Sequence, residues 1–195
     1  MRVFRGWAVR AAGAGCVLAL AACAGVAPSR EDRSVDFAPV RSTFEASGRL
    51  SLRHGTDALT ANFRWHHDGA ADIVDLASPL GQTIARLTGD ANGVSLRTAD
   101  GRSISAADWR ELGARSLEWS LPVDGLAFWI QGAPRPGAPF AVEAAADGGP
   151  GVLRQDGWTI VYQSFAPDPA RVSRPARIAL AYPGIEVKLV VDSWR

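Results

Sequence analysis

From Phe44 onward, apolar and polar residues alternate, and this period of two constrains the fold more than any other feature of the chain. In residues 59–67, Leu59, Ala61, Phe63 and Trp65 share one face, and Thr60, Asn62, Arg64 and His66 share the other. Such a segment is a half-buried antiparallel strand, with one face on a core and one on solvent. "RLSLR", residues 49–53, alternates in the same way. Residues 71–78, 83–89 and 93–98 follow at the spacing of a meander. The turns between them contain Gly and Asn, which supply the positive φ that hairpins require. Further strands are predicted over residues 140–146, 152–155, 158–165, 177–182 and 185–192.

The pattern changes in the middle of the domain. Residues 105–117 open with Ser-x-x-Asp, a relative of the capping box, with Ser105 as the expected N-cap. Trp109 and Leu112 lie three apart on one helical face, and Pro122 bars continuation. Asp124 is a second expected N-cap, Leu126, Trp129 and Ile130 form an i, i+3, i+4 stripe, and Gly132 suits a stop. The expected fold is mainly β with a helical insertion. About ten or eleven short antiparallel strands form one curved sheet or barrel, and two short helices cover one mouth or face. A sheet of that length curls, and a half-closed sheet under a helical lid encloses apolar space. Strand phase turns Phe63, Trp65, Leu76, Leu87 and Leu96 toward that space, and the helical stripes add Leu112, Leu126 and Trp129. Six of the seven tryptophans lie beyond residue 22. For any single one, core packing is the simpler reading; together with Leu-, Ile- and Val-rich strands they also suit an apolar cavity of the kind that holds lipid.

The amino terminus has a different character. Residues 1–22 carry Arg2, Arg5 and Arg10 and no acid, and they end in a twelve-residue apolar run, 11–22. A membrane-spanning helix needs about 20 apolar residues. The run is too short for that, and its charge-then-apolar order is that of a secretory signal peptide. "LAAC", ending at Cys23, resembles a bacterial lipobox, in which the cysteine is acylated and becomes the mature N-terminus. Cys16 would be discarded with the leader, leaving no cysteine pair for a disulfide. Ala24, not Asp, follows Cys23, and in lipoproteins of this class that points to the outer membrane. The polar stretch after Cys23 has two prolines and no sustained apolar period. The expected organisation is a signal peptide over 1–22, a lipidated N-terminus and tether over 23–40, and a folded domain over 41–195.

Composition and motifs exclude several functions. Removing residues 1–22 leaves eighteen cations against twenty anions, so no basic surface marks a nucleic-acid partner. No G-x-S-x-G, H-E-x-x-H or P-loop pattern occurs. His66 and His67 are adjacent on a predicted strand, point to opposite faces and cannot chelate one metal together. The acidic pairs Asp72 and Asp75, and Asp90 and Asp100, read as turn and strand-edge residues rather than as catalytic carboxylates. The chain is expected to be neither an enzyme nor a metal or cofactor carrier.

Six segments occur together in the order of one known family. They are "GRLSL" (48–52), "FRW" (63–65), "SPLGQT" (78–83), "LPVDGLAFWIQG" (121–132), "RQDGWTIVY" (154–162) and "LVVDSW" (189–194). Over about residues 44–195 the chain resembles the LolB family. The resemblance implies an unclosed antiparallel β-barrel covered by short helices, anchored to the outer membrane through Cys23 with the domain facing the periplasm. It implies a monomer that accepts lipoproteins from a periplasmic LolA-like carrier into the apolar cavity and inserts them into the inner leaflet. No cofactor enters the step. Leu80 matches the family's exposed loop leucine, with Pro79 and Gly81 holding it at the turn. A second reading is a structural envelope lipoprotein with a filled core and no acyl-chain transfer.

Overall fold

A computed structural model describes residues 35–69, 71–116 and 123–195. The expected signal peptide, Cys23, Pro122 and the tether up to residue 34 lie outside the described residues. The elements run β1 (Phe44–His54), β2 (Asp57–His67), β3 (Asp72–Ala77), β4 (Thr83–Asp90), β5 (Gly93–Thr98), β6 (Ser103–Ala106), α1 (Trp109–Ser116), α2 (Val123–Trp129), β7 (Phe140–Ala144), β8 (Pro150–Gln155), β9 (Trp158–Pro167), β10 (Ser173–Tyr182) and β11 (Ile185–Trp194). All eleven strands form one antiparallel sheet in the order β6-β5-β4-β3-β2-β1-β11-β10-β9-β8-β7. The first and last strands pair with each other at its centre. The two edges are β6 and β7, which flank the helical insertion in sequence. The barrel is therefore unclosed, and the connection between its edges carries the helices.

The meander sorts its turns between two ends. The upper end holds the β1–β2, β3–β4, β5–β6, β8–β9 and β10–β11 connections; the lower end holds the other four hairpin turns, the start of β1 and the end of β11. Aromatic rings close the lower end. Phe44 packs edge-on against Trp65, at 5.3 Å between centroids, and against Trp194, at 5.5 Å. Trp109 of α1 lies directly over Gly89, leaving no room for a Cβ there.

Two sequence expectations change. Ser105 lies in the edge strand β6, pairing with Ser95, so it does not cap a helix. The cap is Asp108, whose Oδ1 accepts from the Glu111 N–H at 2.7 Å while Glu111 Oε2 accepts from the Ala107 N–H at 2.8 Å. This is a variant of the capping box displaced by three residues, in which the glutamate reaches the N–H one residue before the cap, and the strand takes the residues it frees. Asp124 lies within α2 rather than before it.

Gly48, in "GRLSL", sits at the bulge where the β1–β11 register shifts. A Cβ there would overlap the Val190 carbonyl oxygen and come within 3.0 Å of two more backbone atoms. Since the obstacle is the neighbouring strand itself, Gly48→Ala is expected to destabilise the fold by about 1–3 kcal/mol, in the range of other overpacking changes. Chemical denaturation of the two proteins measures it.

Candidate functional site

Inside the curved sheet lies a cavity of about 670 Å³. Its wall is almost wholly apolar, with side chains from β1–β5, β9–β11 and the helical insertion. Of the residues predicted to line it, Phe63, Trp65, Leu76, Leu87, Leu96, Leu112 and Leu126 all do so. Trp129 does not. It is fully buried, but its Nε1 donates to Gln155 Oε1 at 2.8 Å and its ring faces Trp158 at 6.3 Å. A buried indole N–H needs an acceptor, and satisfying it turns the ring away from the cavity. Ile130, next in sequence, lines the cavity. Tyr162 supports the same region by donating its hydroxyl to the Trp129 carbonyl at 3.0 Å. Burial pushes the Tyr162 pKa up, so it stays a neutral donor.

Other lining residues were legible but not singled out. Leu50 and Leu52 alternate in "RLSLR", and Val187 and Leu189 alternate in β11. Ile84 is different. The β3–β4 register jumps from Leu76↔Ala85 to Ala77↔Thr83, which leaves Ile84 as the extra residue of a bulge. Ile84 and Ala85 consequently both line the cavity, which strict alternation forbids.

The wall becomes polar only at the upper end, where His54 and Asp57 flank the β1–β2 turn and Thr98 ends β5. The β3–β4 hairpin is at that same end. Ser78, Pro79, Leu80 and Gly81 make its turn, with the Gly81 N–H on the Ser78 carbonyl at 2.8 Å and the Ser78 N–H on the Gln82 carbonyl at 2.7 Å. Pro79 occupies the position whose φ proline presets, and Gly81 has φ +86°. Asn62 of β2 braces the turn by donating to the Ser78 carbonyl at 3.3 Å. On this frame Leu80 is 90% exposed; the next most exposed large apolar side chain among the described residues, Phe140, is 47% exposed.

The carboxylates weighed for catalysis are engaged elsewhere. Asp72 accepts from Trp65 Nε1 at 2.7 Å and lies 2.8 Å from His67 Nδ1. Asp75 holds Arg86 through two bonds, and Asp100 binds Arg102 and Thr98. Asp90 accepts from the Asn92 N–H in its own turn.

A model of the outer-membrane lipoprotein LolB matches residues 42–194. This chain belongs to the LolB family. Among its relatives, the outer-membrane lipoprotein LolB of Thiobacillus denitrificans is 38% identical over 177 residues, covering 91% of this chain and 92% of that protein. The LolB of an Azoarcus species is 35% identical over 175 residues, 90% of this chain and 89% of its own. In structure, a LolA-superfamily protein of Nitrosomonas europaea shares the fold with a TM-score of 0.52 at 10% identity, over 84% of this chain and 90% of that one. Membership makes the chain an outer-membrane lipoprotein of the lipoprotein-localisation system, a family of receptors rather than enzymes.

The lower end carries a polar cluster that no local pattern announced. Gln131 brackets Arg41, accepting from its N–H at 2.8 Å and donating to its carbonyl at 3.2 Å. Arg41 Nη2 reaches Asp168 Oδ2 at 2.5 Å, and the buried Arg174 reaches the same oxygen at 3.3 Å. Burial raises the Asp168 pKa, but the Val172 N–H, Arg174 and Arg41 together hold it below the usual carboxylate range. The described part of the expected tether also meets the domain, with Phe37 6.1 Å from Phe140.

Proposed function

We propose that this member of the family receives lipoproteins from a periplasmic LolA-like carrier, holds their acyl chains in the apolar cavity, and delivers them to the inner leaflet of the outer membrane. Residues 1–22 are then the removed leader, Cys23 the acylated anchor, and residues 23–40 the link to the domain. The observation that carries this reading is an apolar cavity whose wall reaches the end from which an isolated leucine projects.

Transfer without an energy source must run downhill. A partly open cavity covers part of each chain, whereas a bilayer covers all of it, at roughly 0.8 kcal/mol per further methylene buried. The final step is favourable once the cavity's mouth meets the membrane. The reading as a structural lipoprotein requires a filled core, and a cavity of about 670 Å³ argues against it.

The test uses the full chain carrying Cys23→Ala, so that its own acyl groups do not compete. Mixed with a carrier–lipoprotein complex, it is expected to take the lipoprotein into a new soluble complex. If the lipoprotein stays on the carrier, the structural reading replaces this one.

A further inference from the structure

On the sheet face opposite the cavity lies a second concavity, a polar groove of about 910 Å³ across β2–β6. Strand register sets one row of side chains along it. Arg64 lies opposite Asp75, Asp75 opposite Arg86, Arg86 opposite Arg97, and Arg97 opposite Ser103. Most of the charge in and around this row is matched. Arg86 forks onto Asp75 at 2.5 and 2.9 Å, Arg64 lies 3.8 Å from Glu45, and Asp192 on the rim is held by Arg49 at 3.1 and 3.2 Å. The Arg97 guanidinium has no hydrogen-bond or ion-pair partner among the described residues. It also stands directly across the strand pair from Arg86, and like charges in that position repel. Beside them Thr88 and Ser95 bond to each other at 2.8 Å, a polar floor with hydroxyl capacity to spare.

We propose that this groove binds the phosphate of an anionic lipid headgroup, with Arg97 as the principal contact. A guanidinium fork matches a phosphate oxygen pair, and an anion between Arg86 and Arg97 relieves their repulsion. A lipid source follows from position. Ala77 and Thr83, which flank the Leu80 turn, also line the groove. Arg86 is three residues along β4 from Thr83, about 10 Å at the rise of a strand. The headgroup layer on each side of a bilayer is about 5–8 Å deep. With Leu80 among the acyl chains, the groove therefore lies at and just above headgroup level. This inference rests on Leu80 meeting the bilayer, and the test separates the two.

The full chain with Cys23→Ala is sedimented with vesicles of phosphatidylcholine alone or with phosphatidylglycerol added. Phosphatidylglycerol is expected to strengthen binding, and Arg97→Gln to remove about fivefold of that gain, with a smaller loss on phosphatidylcholine, whose phosphate is already neutralised by its own ammonium. Leu80→Glu should weaken binding to both vesicles. If it does not, while Arg97→Gln still removes the gain, the groove stands and the Leu80 reading falls. Arg110→Gln, an exposed arginine of α1 outside the groove, is the charge control. An equal loss from Arg110→Gln, or an undiminished gain in Arg97→Gln, overturns the proposal. Inorganic phosphate at matched ionic strength is expected not to compete; full competition means a free-anion site and overturns the headgroup assignment. An Arg97→Gln defect confined to release from the carrier means a protein occupant and overturns it as well.

Discussion

Leu80→Glu is expected to leave uptake from the carrier intact and to cut delivery into liposomes tenfold or more. The side chain is 90% exposed, so the folded domain loses nothing by its removal. Substitutions at such sites change stability by about 0.5 kcal/mol or less. Burying a leucine in hydrocarbon is worth roughly 1.5–3 kcal/mol, about ten- to a hundredfold in membrane affinity, and a carboxylate adds a desolvation cost. The frame matters as much as the residue. Pro79 and the positive φ of Gly81 fix the turn, and Asn62 ties it to β2, so the tip cannot fold back onto a neighbouring hairpin. Leu80→Phe should deliver almost as well as leucine, and Leu80→Ala should fall between leucine and glutamate. Lipoprotein counted in floated liposomes, against lipoprotein left on the receptor, separates delivery from uptake. Normal delivery by Leu80→Glu would remove this leucine from the mechanism.

What the sequence made legible divides along physical lines. Strand phase is local, because each residue's face follows from its neighbours, and seven of the eight predicted cavity residues line the cavity. Leu80 was legible through the resemblance, which sets an exposed leucine at the turn that Pro79 and Gly81 mark. Where local rules compete, alternation fails. Trp129 obeys its helical stripe, yet the demand of its N–H for Gln155 takes its ring out of the cavity. Ile84 joins the wall through a bulge that no composition signal marks. Ser105 matched a cap motif, but β5 offered it a strand partner, and Asp108 with Glu111 made the better cap. The cluster of Arg41, Gln131, Asp168 and Arg174 is illegible for another reason. Arg41 is 127 residues from Asp168 and 90 from Gln131; the pairing of first and last strands brings Arg41 toward Asp168, and the helical insertion adds Gln131.

That cluster sets the second large effect. Asp168→Ala is expected to destabilise the domain by about 3–5 kcal/mol, because it leaves the Arg174 guanidinium buried without its counter-ion. The Arg174 side chain is 1% exposed and that of Asp168 fully buried, so water cannot replace the lost partner. Arg174 also lies 6.0 Å from the centroid of the Trp194 ring, which ties the ion pair to the aromatic closure of the lower end. Asp168→Ala combined with Arg174→Met should recover much of the loss, since two compatible apolar groups carry no unpaired charge. The sign of the pH dependence follows from the folded-state pKa, which lies below the ordinary carboxylate value of about 3.9. A carboxylate so depressed contributes its full stability above the unfolded value and loses it as pH falls through the folded one. The stability gap between the parent chain and Asp168→Ala should therefore be widest at neutral pH and close in acid below that ordinary value. Denaturant titrations of both proteins across that range measure the gap, and one independent of pH would show that Asp168 acts by shape rather than by charge. Because Arg41 shares the same carboxylate, Asp168→Ala should also remove the side-chain tie on the segment entering β1, while Gln131 still holds the Arg41 backbone.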